Sequence, residues 1–415
     1  MSKRVEPEIE TFARIRVVGV GGSGSNAVNH MITSKVRGVE FLAVNSDAQD
    51  LHRSLSKRKI HIGKNLTRGL GTGMNPELGK RAAEETRQQI QEALQGSDMV
   101  FITCGMGGGT GTGASAVIAK IAKEVGALVI AIVTKPFSFE GAQRKDIAER
   151  GLAELKKEVD AFIVIPNDKL LSVVEKTLSL KQAFALCDEV LREAVEGVSD
   201  IIRTPGDINT DFNDIKAVME GAGPTLMGIG VAEGDERASE AAKRAVNSPL
   251  LDISISGAKG VLWVVAHSDD LGIMEVHEAS KIISESVDKN AKIIWGVMKD
   301  DKLKKGQVRI IVIATGFPES AAHASHSGNE RSLFSMPVME KREEERGRIY
   351  HEILKRDERA DGELEKVDAQ KNSKKQEKEE PIVTATPHKR ENTPPAPEDD
   401  ETWGAIPAFL RRHKK

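Results

Sequence analysis

Residues 105–113 read Gly105-Met106-Gly107-Gly108-Gly109-Thr110-Gly111-Thr112-Gly113, between an apolar run at Asp98–Cys104 and a helical pattern at Ala114–Val125. From Gly107 to Gly113 five of seven residues are glycine and the other two are threonine, whereas a tight turn needs one or two glycines. Strand, glycine loop, helix is a construction suited to phosphate. Glycines let the backbone approach the anion, and the helix N-terminus presents N–H groups and a positive dipole end.

A second loop of this kind lies upstream. Val18-Gly19-Val20-Gly21-Gly22-Ser23-Gly24-Ser25-Asn26 follows the run Ile15–Val20 and opens another helix. Gly19, Gly21 and Gly24 satisfy G-x-G-x-x-G, and Asp47 follows at about the spacing of a ribose-binding acid, so a nicotinamide-dependent Rossmann oxidoreductase is one reading. It leaves the second loop unexplained. The Walker pattern G-x-x-x-x-G-K-[ST] is absent and neither loop contains lysine. Two such loops at the ends of neighbouring strands make a cradle of backbone donors for a polyphosphate. Its charge is then met by N–H groups, helix dipoles and Mg²⁺ carried mainly by the nucleotide.

Outward from the loops, the runs Ile15–Val20, Val39–Val44, Asp98–Cys104, Leu128–Thr134 and Ala161–Ile165 are apolar at consecutive positions. That pattern belongs to strands covered on both faces. Helical stretches such as Pro76–Gln95 and Ala114–Val125 separate them, so an α/β fold with a Rossmann-like parallel sheet is expected over residues 13–179. Leu180 to Ile202 reads as one long connecting helix, within a segment placed at 180–203. A second, smaller α/β domain is expected within 204–317. Its helices fall near Glu236–Val246 and Ile273–Val287, and its strands near Leu226–Ala232, Gly260–Ala266, Lys292–Met298 and Val308–Thr315. Residues 1–12 are polar and read as a flexible N-terminus. Residues 318–400 are rich in Glu, Lys, Arg, Ser and Pro, too polar to build a core, and read as a disordered linker.

These motifs resemble the tubulin/FtsZ family of GTPases, and their surroundings its bacterial cell-division branch. Gly107 to Gly113 matches the signature loop of the family. Ala43-Val44-Asn45-Ser46-Asp47, Asn75-Pro76-Glu77, Thr134-Lys135-Pro136-Phe137, Phe139-Glu140-Gly141 and Ile165-Pro166-Asn167-Asp168 follow in the family order. The resemblance covers about residues 13–317 and resumes at the C-terminus. It implies a GTP-binding, GTP-hydrolysing protein that polymerises with itself head to tail into dynamic filaments. These would form the division ring in the cytoplasm, at the inner face of the membrane at midcell.

By resemblance, Gly22, Ser23, Gly24, Ser25 and Asn26 together with Gly107, Gly108, Gly109, Thr110, Gly111 and Thr112 wrap the phosphates of GTP or GDP. Gly71, Thr72 and Gly73 form the loop that senses the γ-phosphate. Glu140 and Arg144 lie where the family contacts ribose, although on sequence alone they are equally a helix-surface pair. Asn26 and Asp188 lie where it contacts guanine, and Phe184 stands one turn before Asp188 to stack on the base. A carboxylate accepts two hydrogen bonds from guanine N1–H and its amino group, which adenine cannot supply.

The loop Thr204–Asp214 carries Asn209, Asp211 and Asp214. The two aspartates are three apart at a helix start and so share a face. Helix capping would also account for acids there. The resemblance assigns the loop to the nucleotide site of the adjacent subunit, with Asn209, Asp211 and Asp214 as its catalytic polar residues. A non-enzymatic scaffold with a relic site would have no need of them.

The terminal stretch Thr402–Arg412 regains Trp403, Ile406, Pro407, Phe409 and Leu410 and resembles the family's adaptor-binding peptide, docking on membrane-tethering adaptors and division regulators. On a flexible linker of ~80 residues it would reach ~50 Å, so many tails on one filament bind by avidity. Net charge is −3 and gives no reason to expect nucleic acid. No run of ~18 apolar residues appears, so no membrane insertion is expected. Two cysteines, Cys104 and Cys187, exclude a disulfide scaffold and a cysteine-rich metal site. No protein-held metal site is expected.

Overall fold

A computed structural model describes residues 13–171, 179–203, 211–248, 255–268, 271–300 and 303–317. Asn209 and the terminal residues Trp403, Ile406, Pro407, Phe409 and Leu410 lie outside the described residues. All described residues belong to one compact unit.

The chain opens with β1 (Ile15–Val20), α1 (Gly21–Thr33), β2 (Val39–Asn45), α2 (Ala48–Arg53), β3 (Arg58–His61) and α3 (Lys64–Thr67). Then come α4 (Pro76–Glu85), α5 (Arg87–Leu94), β4 (Met99–Gly105), α6 (Thr110–Glu124), β5 (Leu128–Lys135), a 3₁₀ turn at Ser138–Glu140, α7 (Ala142–Glu158), β6 (Ala161–Pro166) and α8 (Asn167–Leu171). After α9 (Leu180–Arg203) and α10 (Phe212–Met219) follow β7 (Gly223–Glu233), α11 (Arg237–Val246), β8 (Gly260–His267), α12 (Ile273–Glu285), β9 (Lys292–Lys299) and β10 (Gln307–Thr315).

The first six strands are parallel in the order β3-β2-β1-β4-β5-β6. This is the doubly wound order. Its direction of winding reverses between β1 and β4, which opens a crevice at their C-terminal ends. β7 continues the sheet by pairing Ala161 with Gly223 and Phe162 with Pro224, and the order ends β7-β10-β8-β9. There β10 runs antiparallel to β7 and β8, while β8 and β9 are parallel.

Alternate residues of each strand enter opposite cores. Val17, Phe101, Ile130 and Ile163 pack with α1 and α9 on one face. Val18, Ile102, Val129 and Val133 pack with α4 to α7 on the other. A third core joins α11 and α12 to β8 and β10 around the buried Trp263, which stacks on Trp295 at 5.8 Å. Cys104 is buried in the second core and Cys187, on α9, in the first. Desolvation pushes the Cys104 thiol up to about 12 and raises that of Cys187, so neither is a nucleophile at neutral pH.

Three local readings change. Pro76–Gln95 is broken at Thr86, whose hydroxyl turns back to Ala82 O at 3.1 Å and also receives Gly63 N–H at 3.2 Å. α6 begins at Thr110 rather than Ala114, so half of the glycine stretch is already helix. β3 is added as an edge strand with one buried residue, Ile60.

Among the described residues α9 is the longest helix. Its 24 residues span ~36 Å. Near its start Phe184 meets Phe137 edge-to-face at 5.4 Å, just beyond the C-terminal end of β5. His30 Nε2 on α1 lies 2.7 Å from Glu189 Oε2, and Arg192 bonds Glu189 and the buried Glu196. At the far end Arg203 Nη1 donates to Gly38 O at 2.9 Å, just before β2 begins. The helix therefore runs from the C-terminal to the N-terminal edge of the parallel sheet.

Candidate nucleotide site

Two helix N-termini meet at the crevice between β1 and β4. α1 begins at Gly21 and α6 at Thr110, each with no side-chain cap and no acid in its first turn. The first N–H groups of a helix have no partner within it, and an uncapped pair concentrates donors and dipole on one spot. Their approach depends on glycine. Gly21 holds φ +71°, and a Cβ there would lie 2.9 Å from Gly111 N. A Cβ on Gly24 would lie 2.5 Å from Thr103 O, and one on Gly105 2.7 Å from Ser23 Oγ. Gly107, at φ +96°, backs onto Arg144 O, while Gly108 has nothing within 4 Å of its missing Cβ. The open side of the loop is thus at Gly108.

Gly22 and Ser23 are exposed in the first turn of α1, Gly24 and Ser25 are buried, and Asn26 is half-buried. Thr112 Oγ1 accepts Gly107 N–H at 2.9 Å and so fixes the loop to its own helix. Gly71, Thr72 and Gly73 lie between Leu70, bridged to Asp47, and α4. Thr72 Oγ1 lies 3.1 Å from Thr110 Oγ1. Glu140 ends the 3₁₀ turn, where its carboxylate accepts Phe137 N–H at 2.9 Å and lies 3.3 Å from Arg144 Nη1. Phe137 touches Phe184, and Asp188 follows one turn along α9. Asp188 is half-buried with no cation beside it among the described residues, and desolvation pushes its carboxyl up to about 7.

Asp211 and Asp214 are not part of this assembly. Asp211 caps α10 by accepting Asn213 N–H at 3.0 Å, and both carboxylates are exposed. α10 leads into Gly223, whose N–H donates to Asp160 O at 2.8 Å immediately before β6. The acids therefore sit at the N-terminal edge of the sheet and the glycine loops at its C-terminal edge.

Several residues given no role in the sequence reading stand beside these loops or at the same edge of the sheet. Ser46 Oγ lies 2.6 Å from Thr110 Oγ1. Asp50 Oδ2 receives Asn45 Nδ2 at 3.0 Å and faces Gly22. Asn167 Oδ1 is buried without a partner just after β6, and the same holds for the Oγ of Ser25, which the sequence reading already assigns to the phosphates. Ser46 and Asn167 stood inside motifs of the resemblance. The unsatisfied atoms themselves leave no mark in a sequence. Asp47, the acid of the oxidoreductase reading, is committed to Gln49 N–H and Asp50 N–H as the cap of α2. Among the described residues no group of three or more His, Cys, Asp or Glu could hold a metal ion.

The Tubulin/FtsZ family GTPase domain matches residues 14–175, and the FtsZ family C-terminal domain matches residues 223–318. Among solved structures, an empty FtsZ dimer from M. jannaschii is 47% identical, with TM-score 0.71 over 74% of this chain and 89% of that one. The fold recurs in two Haloferax volcanii proteins at 22% identity. The GTPγS-bound protofilament of CetZ2 has TM-score 0.65, covering 75% of this chain and 96% of that one. The GDP-bound CetZ1 monomer has TM-score 0.64, covering 74% and 94%. An uncapped pair of helix N-termini for phosphates, both domain matches and 47% identity across the shared body agree: the chain belongs to the tubulin/FtsZ family, on its FtsZ branch, and is a guanine-nucleotide-binding GTPase.

Proposed function

We propose that this GTPase polymerises head to tail and that hydrolysis is completed by the acidic loop of the neighbouring subunit. The observation that carries this reading is the placement of Asp211 and Asp214. Within one subunit α9 alone puts ~22 Å between Asp188 and Arg203, and the acids follow Arg203. No side chain bridges that gap. Stacking a second copy with its N-terminal sheet edge on the crevice of the first brings the carboxylates over the nucleotide. The contact is heterologous and repeats, so it builds a filament. The dimer of the 47% identical relative supports self-association.

In this arrangement Gly21–Ser25 and Gly107–Thr112 hold the phosphates, and Gly71–Gly73 reach the γ-phosphate. Glu140 and Arg144 face the ribose, and Phe184 stacks on guanine. Asn26, Asn167 and Asp188 read the base edge. Asn209, Asp211 and Asp214 of the next subunit orient the attacking water, and phosphoryl transfer is governed by such positioning and charge. Mg²⁺ would be held mainly by the phosphates and would neutralise their charge. Membership of the FtsZ branch supports a role in the division ring at the cytoplasmic membrane face. The terminal peptide would dock on adaptors there, which predicts midcell localisation of a fluorescently tagged chain. GTP turnover per subunit should rise above a threshold protein concentration at which sedimentable polymer forms. A rate strictly proportional to concentration, with no polymer, would refute shared catalysis.

Asp188 adds a pH dependence. In the empty pocket its carboxyl keeps a proton up to about pH 7, and guanine needs the carboxylate. Binding therefore expels a proton, and GTP affinity should fall as pH drops below about 7, approaching tenfold per pH unit. Asp188→Asn should bind weakly with a flat profile, as read by fluorescent-nucleotide titration between pH 5.5 and 8. For the empty fold the sign is opposite. The raised value stabilises the chain below the ordinary carboxylate range, and that contribution disappears as pH rises through about 7.

A further inference from the structure

Between α3 and α4 the backbone adopts a conformation that residues with a Cβ resist. Arg68 and Met74 hold φ of 52° and 65°, while Gly69, Gly71 and Gly73 hold 77°, 76° and 56°. Backbone bonds secure the ends of this loop, from Ala48 N to Gly69 O and from Asn75 N to Thr72 O, both at 3.1 Å. Gly73 is exposed, and a Cβ there would meet nothing within 4 Å.

Thr72 points the other way. It is 8% exposed, and its hydroxyl lies 3.1 Å from that of Thr110. Thr110 Oγ1 lies in turn 2.6 Å from Ser46 Oγ, and Ser46 is fully buried. A Cβ on Gly109 would sit 2.1 Å from Thr72 Oγ1, so the threonine hydroxyl occupies the space that this glycine leaves open. Three hydroxyls from the end of β2, the first residue of α6 and the 68–74 loop form one chain. Each carries a single proton. If Thr72 donates to Thr110, Thr110 keeps its own proton for an acceptor in the cradle, so a bound phosphate orients the chain without breaking it.

We propose that Thr72 is a positioning residue that holds the 68–74 loop docked before nucleotide arrives and thereby sets the preference for GTP over GDP. The inference rests on the reading that this loop meets the γ-phosphate. A ligand that needs one conformation loses apparent affinity by the fraction of chains lacking it. With the tether intact that fraction is small. Without it the strained loop leaves its seat, and a nucleotide that needs it must draw it back. GDP, lacking the γ-phosphate, is indifferent.

The test compares Thr72→Val, which keeps the shape and loses the hydroxyl, with Thr72→Ser, which keeps the hydroxyl. Full-length chains are titrated with GTPγS and with GDP below the assembly threshold. Hydrogen exchange of the 69–74 amides is followed in the nucleotide-free state. Thr72→Val should bind GTPγS about fivefold more weakly, the ~1 kcal/mol of one neutral hydrogen bond converted at ~1.4 kcal/mol per tenfold. GDP affinity should stay within about twofold, exchange should accelerate, and Thr72→Ser should restore all three to wild type. Unchanged exchange in Thr72→Val, or a serine variant behaving like valine, would overturn the tether itself. Faster exchange with equal losses for both nucleotides would overturn the proposal through its premise, because the loop would then not distinguish the γ-phosphate.

Discussion

Asp211→Ala is expected to bind GTP normally and to hydrolyse it about 10²- to 10⁴-fold more slowly, the range for losing a group that positions or deprotonates the nucleophile. Capping complicates the result, since Asp211 accepts Asn213 N–H and an alanine there costs about 1 kcal/mol of helix stability. Asp211→Asn separates the two effects. Asparagine caps as well as aspartate but has no charge, so hydrolysis should still fail while thermal stability holds. A mixture shows in which subunit the group acts. Asp188→Ala damages the pocket and leaves the acidic loop intact, and Asp211→Ala does the reverse. If catalysis is shared, mixing two inactive proteins restores activity, up to roughly a quarter of wild type for random head-to-tail contacts. A mixture no more active than its components would put Asp211 in its own subunit's site, against the separation that α9 imposes.

The second large effect is expected at Gly21. Alanine there must hold φ +71°, which costs about 1–2 kcal/mol. Its Cβ would also press on Gly111 N from 2.9 Å. That neighbour is backbone in the first turn of α6 and cannot rotate away. Relief comes only by parting the two helix N-termini, which disperses the donors that face the phosphates. GTP affinity should fall 100-fold or more (about 2.7 kcal/mol), measured by equilibrium dialysis. Gly108→Ala provides the contrast. Its Cβ meets nothing within 4 Å, so the melting temperature of the empty protein should be unchanged. A loss of affinity in that variant would then report a clash with nucleotide alone. Gly21→Ala with wild-type affinity would remove these two helix ends from the site.

Much of this was legible in sequence because the parallel strands announce themselves. β4 and β5 are almost wholly apolar along their length and β1 is so except at Arg16, since each is buried on both faces. β3 was not legible. Arg58-Lys59-Ile60-His61 sits at the edge of the described sheet, pairs with β2 and has a single buried residue. The start of α6 was hidden for another reason. Thr110-Gly111-Thr112-Gly113 has poor helix propensity. Glycine stands at 113 because α4 packs there, with Pro76 O only 1.8 Å from where a Cβ would be. In the candidate site, the glycine loops could be found as motifs. The hydroxyl chain Ser46–Thr110–Thr72 could not, because it joins residues 38 and 64 positions apart that only the fold brings together. Nor could sequence show that Asp211 and Asp214 lie at the opposite edge from the glycines. That follows from the direction of α9.

α9 also works as a ruler. In the proposed filament the base pocket would lie near one end and the chain leading to the acidic pair leaves the other, so the helix would set the repeat on which successive active sites fall. Inserting one residue between Glu196 and Arg203 would advance everything beyond it by ~1.5 Å and rotate it by ~100°. The acids would then swing away from the neighbour's nucleotide although no residue of either site had changed. Deletions would do the same in the other sense. In the proposed filament, with one such helix per subunit, the error would recur at every junction, so the number of residues in α9 would count for as much as the identity of any one of them.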